Sequence, residues 1–495
     1  MPYWSQHSAF VFALGLWAVL AFPAARATPA APAVKLPPVV SVALERAHIP
    51  VSAVAIWVQP VDAAQPTLAI NAGKPMNPAS VMKVVTTFVA LEQLGPERIW
   101  RTRIAASGPV RGSVLAGDLY VIGDGDPVLT YERLWRLLRR LRMLGIAEIG
   151  GDIVLDHSAL AFPAHDPNVF DGRGLRPYNS GGDGLLMHFN AQELALFPGS
   201  QPQEPVRLVE EPPLAGVAID NQIVTSGKSC EPWYRDLDAH LEDRRLVLTG
   251  SLSASCGPRI WATAPLAPAD FGAAMVQALW RELGGTVRGT VRGGIAPKGA
   301  TTLIADDSAP LGEIVRTMNK WSNNVIARQL LAQLGRGNPA PADSVGAGIE
   351  AARQRLAEAR IDISGLVIDN GAGLSRNARI RADSLGTLLI RAWQRPWMPE
   401  FLASLPVAGR DGTTRRRLVD SPVRGYAHLK TGTINEVKAI AGYVLDQYGR
   451  RHALVMMVNH PQAANSGKAQ DALIEWVWTA DAPLSVRPVA RRGKR

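Results

Sequence analysis

One short segment of the chain places a nucleophile and a base at helical spacing: Ser80-Val81-Met82-Lys83. Positions three apart lie on the same face of a helix, so the Lys83 amine can reach the Ser80 hydroxyl. Residues 81–91 are apolar or uncharged apart from Lys83, which predicts a buried helix. Burial disfavours the ammonium form, and a neutral amine can take a proton from serine. The structural alternative is a lysine that extends to the surface beside a capping serine.

A second segment, Lys430-Thr431-Gly432-Thr433, follows a predicted strand. Its glycine leaves room for a ligand to approach the strand edge closely. The lysine supplies positive charge and the two threonines supply hydroxyls, a combination that suits a ligand with a carboxylate. An extended substrate could add to this edge as a further strand. Read alone, the segment is also compatible with an ordinary strand end.

Two Ser-x-Asn segments are candidates for a third element of the same site. Ser322-Asn323-Asn324 begins a predicted helix, whereas Ser375-Arg376-Asn377 lies in a glycine-rich turn. A helix start fixes side chains more rigidly than a turn, which favours Ser322 and Asn324. The structural alternative for Ser322 is a plain helix N-cap.

The elements that position these residues come from both ends of the chain. Residues 39–96 and 300–482 read as helices and strands of one discontinuous α+β domain, and residues 97–299 read as a mostly β insertion. The helical pattern that returns at Leu311 continues through Leu334. A Pro- and Ala-rich linker at 28–38 precedes the domain, and a basic tail at 483–495 follows it.

The amino terminus and the cysteines indicate an oxidising compartment. An apolar run from Ala9 to Phe22 is followed by Ala25-Arg26-Ala27, which predicts a signal peptide over 1–27, cleavage near Ala27 and a periplasmic protein. An uncleaved anchor helix is the alternative. Cys230 and Cys256 are the two cysteines of the chain, and we expect them to form a disulfide rather than a catalytic thiol.

The formal charge of +10 predicts attraction to polyanions, including peripheral contact of the basic surface with an anionic membrane. Nucleic acid is excluded as the partner because no zinc-finger spacing or RNA-binding motif accompanies the charge. The predicted helix Tyr131 to Met143 alternates arginines with leucines, which indicates a solvated amphipathic helix more than a membrane-surface one. The sequence gives no indication of an oligomeric state.

The order Ser-x-x-Lys, Ser-x-Asn, Lys-Thr-Gly is the motif set of penicillin-binding proteins and class A β-lactamases. With these motifs and the long gap between Ser80 and Ser322, the chain resembles the D-alanyl-D-alanine carboxypeptidase/endopeptidase family, the class C low-molecular-mass penicillin-binding proteins. The flank 318–327 is similar to the second motif of that family. The stretch 370–376, Asn-Gly-Ala-Gly-Leu-Ser-Arg, resembles a separate structural motif of the family, with Ala372 where serine is common.

The resemblance implies an α+β transpeptidase-like fold and hydrolysis of peptidoglycan stem peptides or crosslinks through an acyl-enzyme on Ser80, with β-lactams as covalent inhibitors. Lys83 would take the serine proton, Ser322 would relay a proton to the leaving amine, and Asn324 would hold the substrate backbone. Lys430, Thr431, Gly432 and Thr433 would bind substrate, without a metal or an organic cofactor. Asp156, in a stretch that resembles a substrate-facing part of the insertion, would contact a cationic diamino-acid side chain.

Two other functions fit the same motifs. A β-lactamase or esterase on this scaffold would hydrolyse a different substrate class, but compact lactamases resemble this chain only in the three motifs. A non-catalytic envelope-binding protein would have lost a motif residue, and all three motifs are intact.

Overall fold

The computed structural model describes residues 35–337 and 342–479. The predicted signal peptide, most of the predicted linker and the predicted basic tail lie outside these residues. The helices of the described part are α1 Pro38–Arg46, α2 Met82–Leu94, α3 Tyr131–Met143, α4 Pro268–Glu282, α5 Leu311–Trp321, α6 Asn324–Leu334, α7 Ser344–Glu358, α8 Ala382–Trp393, α9 Met398–Ser404 and α10 Gly467–Thr479.

Most strands of the described part lie between α2 and α5. In chain order the strands are β1 Val54–Pro60, β2 Leu68–Ile70, β3 Arg101–Ala106, β4 Val110–Arg111, β5 Val114–Leu115, β6 Leu119–Ile122, β7 Glu148–Ile149, β8 Ile153–Asp156, β9 Gln192–Phe197, β10 Arg207–Glu211, β11 Ala218–Asn221, β12 Val224–Ser226, β13 Leu237–Glu242, β14 Arg245–Ser253, β15 Arg259–Thr263, β16 Thr286–Val287, β17 Val291–Gly293, β18 Thr301–Asp307, β19 Ala427–Ile434, β20 Val437–Leu445 and β21 Arg451–Asn459.

A five-stranded antiparallel sheet joins the two ends of the chain in the order β19-β20-β21-β1-β2. Every residue of β1 is buried, because alternate side chains enter two different cores. Ala55 and Trp57 pack with α2, α5, α6 and α8, whereas Ile56 and Val58 pack with α1 and α10. The sheet is therefore the middle layer between two groups of helices, and the predicted α+β class is confirmed.

The segment between α2 and α5 builds four further sheets. One part, with the order β17-β8-β6-β3-β18 and the smaller sheet β16-β7-β5-β4, packs with α3 and α4 around its own core. The other part consists of the sheets β10-β9-β15 and β11-β14-β12, and β13 pairs with β14. Each part has its own apolar cluster.

The predicted end of the insertion at residue 299 falls too early. Strand β18 pairs with β3 from Thr301 opposite Ala106 to Asp307 opposite Arg101, so it belongs to the inserted sheet. The chain enters the insertion near Trp100 and leaves it near Ser308. A hydrogen bond joins these two places, since the Ser308 N–H donates to the Trp100 carbonyl at 2.8 Å. The strand pattern of 301–307 fits either sheet, and only the long-range pairing assigns it.

Helix α3 buries its leucines, and two of its arginines form ion pairs within the insertion. Its leucines 134, 137, 138 and 141 are buried. Arg133 pairs with Asp126 and Asp306, and Arg136 pairs with Asp306. These contacts favour the interpretation of α3 as an amphipathic domain helix. None of the helices in the described residues is long and apolar enough to cross a membrane.

The predicted disulfide is confirmed. Cys230 and Cys256 are bonded, with their Cα atoms 4.9 Å apart. Both lie in the second part of the insertion, against the cluster that contains Leu237 and Trp261. The bond closes a segment of the insertion and does not touch the central sheet.

Candidate active site

Ser80 lies in a tight 3-10 turn, Ala79–Val81, immediately before α2. Ala79 has a left-handed backbone (φ 45°), a conformation that costs energy for a residue with a Cβ. The turn is held by Asn77, whose Oδ1 accepts the Ala79 N–H at 2.9 Å. Asn459 at the end of β21 in turn accepts the Asn77 N–H at 2.8 Å. The serine is thereby fixed to the central sheet as well as to its helix.

Lys83 points back along α2 to this serine and is completely buried. Its Nζ is 3.0 Å from Ser80 Oγ, 2.6 Å from Asn324 Oδ1 and 2.7 Å from the Ala372 carbonyl oxygen. A neutral amine has two hydrogens and one lone pair. It can donate to Asn324 and Ala372 and still accept the hydroxyl hydrogen of Ser80. The geometry is that of a base beside its nucleophile.

The electrostatics favour this neutral form. Burial lowers the pKa of Lys83 well below its usual value, and the nearby charges of Lys430 and Arg328 lower it further. No carboxylate is among its three hydrogen-bond partners. Lys83 does not extend to the surface, which was the alternative interpretation of the sequence.

The Lys-Thr-Gly segment lies in β19, directly beside the Ser80 turn. A Cβ placed on Gly432 would be 2.6 Å from the Pro78 carbonyl oxygen and 2.9 Å from the Ser80 nitrogen, closer than real side chains come. The glycine is therefore required by the approach of the strand to the serine turn, whereas the sequence suggested only room for a ligand. Thr431 is half-buried and Thr433 is exposed. The Thr431 hydroxyl lies 2.8 Å from that of Thr413, which sequence reasoning did not single out.

Ser322 and Lys430 form a second serine–lysine pair. Lys430 Nζ donates to Ser322 Oγ at 2.9 Å and to the Thr431 carbonyl at 2.6 Å. The lysine is completely buried, and burial lowers its pKa to about 7. At neutral pH it therefore exchanges between charged and neutral forms, beside a hydroxyl that can pass a proton on.

The segment Ser322-Asn323-Asn324 lies at the junction of two helices, in agreement with the helix start predicted there. Helix α5 ends at Ser322, which has a left-handed backbone (φ 57°). Asn323 is the N-cap of α6, because its side chain accepts the Ile326 N–H at 3.0 Å. Ser322 is therefore not the N-cap that the sequence left as an alternative. The break frees its side chain to meet Lys430.

Asn324 is the first residue of α6, and both ends of its amide are engaged. Its Oδ1 accepts from Lys83, and its Nδ2 donates to the Tyr178 carbonyl at 3.1 Å. Tyr178 belongs to the insertion, so this part of the chain contributes directly to the environment of Lys83. One Nδ2 hydrogen is left for a substrate carbonyl.

The second Ser-x-Asn segment has a structural role. The Ser375 hydroxyl oxygen accepts the N–H groups of Asn377 and Ala378 at 2.9 and 3.1 Å. The same loop presents the Ala372 carbonyl to Lys83, and a Cβ on Gly373 would lie 1.8 Å from the Ala79 carbonyl oxygen. Lys83 binds the backbone carbonyl of residue 372 and not its side chain, so alanine in place of serine leaves this contact intact. The glycines around Ala372 were the only sequence signal for this contact.

Asp156 is buried at the end of β8. Its Oδ1 accepts the Ser158 N–H at 2.9 Å and its Oδ2 accepts the Ala296 N–H at 2.8 Å. Each oxygen therefore holds one backbone group of the insertion, as a turn-forming aspartate at a strand end does. The contact with a cationic substrate side chain stays a prediction.

A cavity of about 1560 Å³ is lined mainly by residues of the insertion within 162–183, 232–241 and 261–269. Arg328 and residues 369, 370 and 374–377 complete its wall. Arg328 lies one helical turn after Asn324, but Ser80, Lys83, Ser322, Asn324 and Lys430 are not part of the lining. Within the described ranges, no group of three His, Cys, Asp or Glu side chains is placed to hold a metal ion.

Comparisons with known proteins show the family of this chain. The family model of the D-Ala-D-Ala carboxypeptidase 3 (S13) family matches residues 38–480. The D-alanyl-D-alanine carboxypeptidase of Actinomadura sp. strain R39 is 30% identical over 395 residues, 76% of this chain and 72% of that protein. The D-alanyl-D-alanine carboxypeptidase DacB of Haemophilus influenzae is 27% identical over 396 residues, 77% of this chain and 80% of that protein.

The solved structures give the same fold. Penicillin-binding protein 4 (dacB) from Haemophilus influenzae superposes with a TM-score of 0.74 at 25% identity, over 89% of this chain and 99% of that one. The same protein complexed with a novel β-lactam superposes with a TM-score of 0.71. A predatory peptidoglycan endopeptidase from Bdellovibrio bacteriovorus, at 17% identity and a TM-score of 0.50, shares the fold over 86% of this chain and 90% of its own.

The fold and the paired serine–lysine centre are those of the penicillin-binding serine hydrolases. This chain belongs to the D-Ala-D-Ala carboxypeptidase 3 (S13) family.

Proposed function

We propose that this chain is a serine D-Ala-D-Ala carboxypeptidase and endopeptidase that hydrolyses peptidoglycan stem peptides or their crosslinks through an acyl-enzyme on Ser80. The observation that carries the proposal is the environment of Lys83: a buried amine with two carbonyl-type acceptors and a serine hydroxyl as its partners.

The first half of the reaction forms the ester. Lys83 Nζ takes the Ser80 proton as Oγ attacks the carbonyl carbon between two D-alanines. The negative charge that develops on the carbonyl oxygen is stabilised by the backbone N–H groups of Ser80 and Thr433. The close approach of Gly432 to the Ser80 nitrogen supports this pair of donors. Each such donor is worth roughly 3–4 kcal/mol in acyl transfer.

Breaking the C–N bond requires a proton on the leaving amine. Ser322 Oγ donates it, and Lys430, 2.9 Å from that oxygen, restores it. The leaving group is D-alanine in the carboxypeptidase reaction and the amine of a neighbouring peptide in the endopeptidase reaction. Water then hydrolyses the ester and regenerates Ser80.

Substrate binding is assigned to the edge of β19. We assign the terminal carboxylate to the hydroxyls of Thr431 and Thr433, and the peptide backbone to the second amide hydrogen of Asn324. Lys430 is buried behind the strand, so we assign it to the proton path and not to direct contact with the carboxylate.

The domain division and the location are part of the same proposal. The catalytic domain comprises residues 39–96 and the chain from about 308 to 482, and the insertion comprises 97–307. Export to the periplasm is supported by the apolar run and cleavage site at the amino terminus and by the disulfide. A protein that acts on peptidoglycan must reach that compartment.

The experiment uses the purified chain with penicillin. Its mass should rise by one drug molecule, and peptide mapping should place the adduct on Ser80. Ser80→Ala should abolish the adduct, and Ser375→Ala, at the other Ser-x-Asn serine, serves as the matched control that keeps it. An adduct that survives in Ser80→Ala would contradict the assignment.

Two further measurements define the class of hydrolase. Pentapeptide and crosslinked muropeptide substrates separate carboxypeptidase from endopeptidase turnover. The lifetime of the penicilloyl-enzyme separates both from a β-lactamase, for which the adduct would be lost within seconds.

A further inference from the structure

Arg328 occupies an unusual position between the insertion and the acylation centre. It lies on α6, one turn after Asn324, and its half-buried side chain lines the cavity of about 1560 Å³. Its Nη1 donates to the Tyr178 carbonyl at 3.2 Å and to the Ser180 carbonyl. Arg328 and Asn324 therefore donate to the same carbonyl oxygen, that of Tyr178.

This shared acceptor links three parts of the molecule. The Tyr178 carbonyl fixes the amide of Asn324, and the oxygen of that amide fixes Lys83 at 2.6 Å. A carbonyl has two lone pairs, so it can accept from both side chains at once. If the 178–180 loop moved, Asn324 would lose one of its two anchors.

The charge of Arg328 matters as well as its hydrogen bonds. Its two acceptors are neutral carbonyls, so they leave its positive charge uncancelled. Burial lowers the pKa of Arg328 to about 10, which still leaves it charged at neutral pH, and the nearby Asp369 acts in the opposite direction. A neighbouring cation makes it harder for Lys83 to hold a proton.

The charged groups that act on Lys83 come from two elements. Lys430 lies on β19 and Arg328 lies on α6, and both lower the pKa of Lys83. The 370–375 loop contributes only the Ala372 carbonyl, and its neighbour Asp369 acts on Arg328. Arg328 is the one of these charges that lies outside the sequence motifs.

We propose that Arg328 is a positioning residue for acylation: it anchors the Tyr178–Ser180 loop of the insertion against Asn324, and its charge keeps Lys83 in the proton-accepting form. The insertion thus helps to assemble the base. The inference rests on the proposed function, because it requires Lys83 to act as the base toward Ser80.

The test is the rate of acylation by penicillin as a function of pH, measured on the full chain. In Arg328→Gln the acid limb of the profile should move to higher pH, so that acylation on that limb is slower than in the wild type at the same pH. Arg328→Lys keeps the charge and should leave the acid limb in place. Its plateau should be lower because an ammonium cannot reproduce the guanidinium contacts.

Two further variants serve as controls for the role of Arg328. Arg336→Gln removes an arginine that follows the same helix and pairs with Asp124, and it should leave the profile unchanged. If Arg328→Gln does not fold, Arg328→Met, which is also neutral, must show the same shift.

The outcomes separate this inference from the proposed function. A wild-type chain that penicillin does not acylate overturns the function. If the wild type is acylated and the neutral variants keep its acid limb, the inference is overturned. A change confined to KM for peptide substrates also overturns it, since that would make Arg328 a substrate contact.

Discussion

The Ser80–Lys83 pair and the Ser322–Lys430 pair contain the same two side chains at nearly the same separation, 3.0 and 2.9 Å, and the fold builds them differently. The first pair is local, three residues apart on one helix turn. The second joins residues 108 apart in sequence, one at a break between two helices and the other in the central sheet. Both lysines are completely buried.

The difference lies in what surrounds each amine. Lys83 has two other acceptors and two cationic neighbours, so its pKa falls well below the usual value and it serves as a base. Lys430 is shifted by burial alone, to about 7, so it can still carry a proton to Ser322 at neutral pH. The two serine–lysine pairs thus have different roles because their neighbours differ: Lys83 accepts a proton, and Lys430 supplies one.

The largest expected effect comes from exchanging the cation at each position. Lys83→Arg should lower the rate of penicillin acylation by at least about 10³-fold, because a guanidinium cannot give up its proton at accessible pH. Lys430→Arg should cost less, about 10²-fold, because it keeps the positive charge beside Ser322 and loses only the return of a proton to that hydroxyl. Acylation rates from stopped-flow measurements on both variants provide the comparison. Equal losses in the two would remove the distinction between base and donor.

Loss of the second hydroxyl should come next. Ser322→Ala should slow acylation about 10²-fold, since the leaving amine then lacks a positioned proton donor. Ser375→Ala is the matched control: it should lower the melting temperature by removing two backbone contacts, and acylation should stay within a few-fold of wild type. A Ser322→Ala enzyme with wild-type kcat/KM would exclude the relay.

The pH profile should show the titration of Lys430. As the pH rises through about 7, Lys430 loses its proton, and acylation should decline, by about tenfold per unit well above that value. Lys430→Arg remains charged, so its alkaline decline should disappear. Rates between pH 5 and pH 9 measure both limbs. An unchanged alkaline limb in the arginine variant would assign it to another group.

Stability should depend on pH through the same residue. The folded pKa of Lys430 lies below its usual 10.5, so the unfolded chain binds more protons between about pH 7 and 10.5. The free energy of unfolding should therefore rise with pH across that window, with the full penalty present below pH 7. Lys430→Met should flatten the rise, whereas Lys298→Met, at an exposed loop position, should not. Melting temperatures at pH 7 and pH 9.5 test this.

The smallest effect on chemistry is expected from the disulfide. Removing it with Cys230→Ala and Cys256→Ala should destabilise the insertion by about 3 kcal/mol in the chain-entropy model. Penicillin acylation should remain within about twofold of wild type at temperatures where the insertion is folded, because the bond lies in the second part of the insertion. A much larger loss would show that this part supports the Tyr178 loop directly.

The local elements were predictable because their signals are local. Helix α3 was predicted with its observed ends, Tyr131 and Met143, since four leucines recur at helical spacing. The left-handed backbone of Ser322 was not predictable, because a single left-handed residue leaves the apolar periodicity on either side intact.

The partners of Asp156 show the same limit. A strand pattern with a terminal aspartate shows that the carboxylate needs partners, and it does not show which ones. The Ala296 N–H that donates to Oδ2 comes from a loop 140 residues later. Sequence reasoning assigned the carboxylate to a ligand, and only the fold shows the two backbone groups that it also binds.

The sequence by itself determined the three motifs, the disulfide pair and the class of chemistry, because these depend on residue type and short spacing. Only the tertiary structure decided what acts on each lysine. The acceptors at Lys83 include a backbone carbonyl at Ala372, and the anchor of Asn324 is another at Tyr178. Every residue has a backbone carbonyl group, so the pattern of side chains cannot predict which carbonyl group will lie in a site. That choice is made by packing of the insertion and the 370–375 loop against α2 and α6.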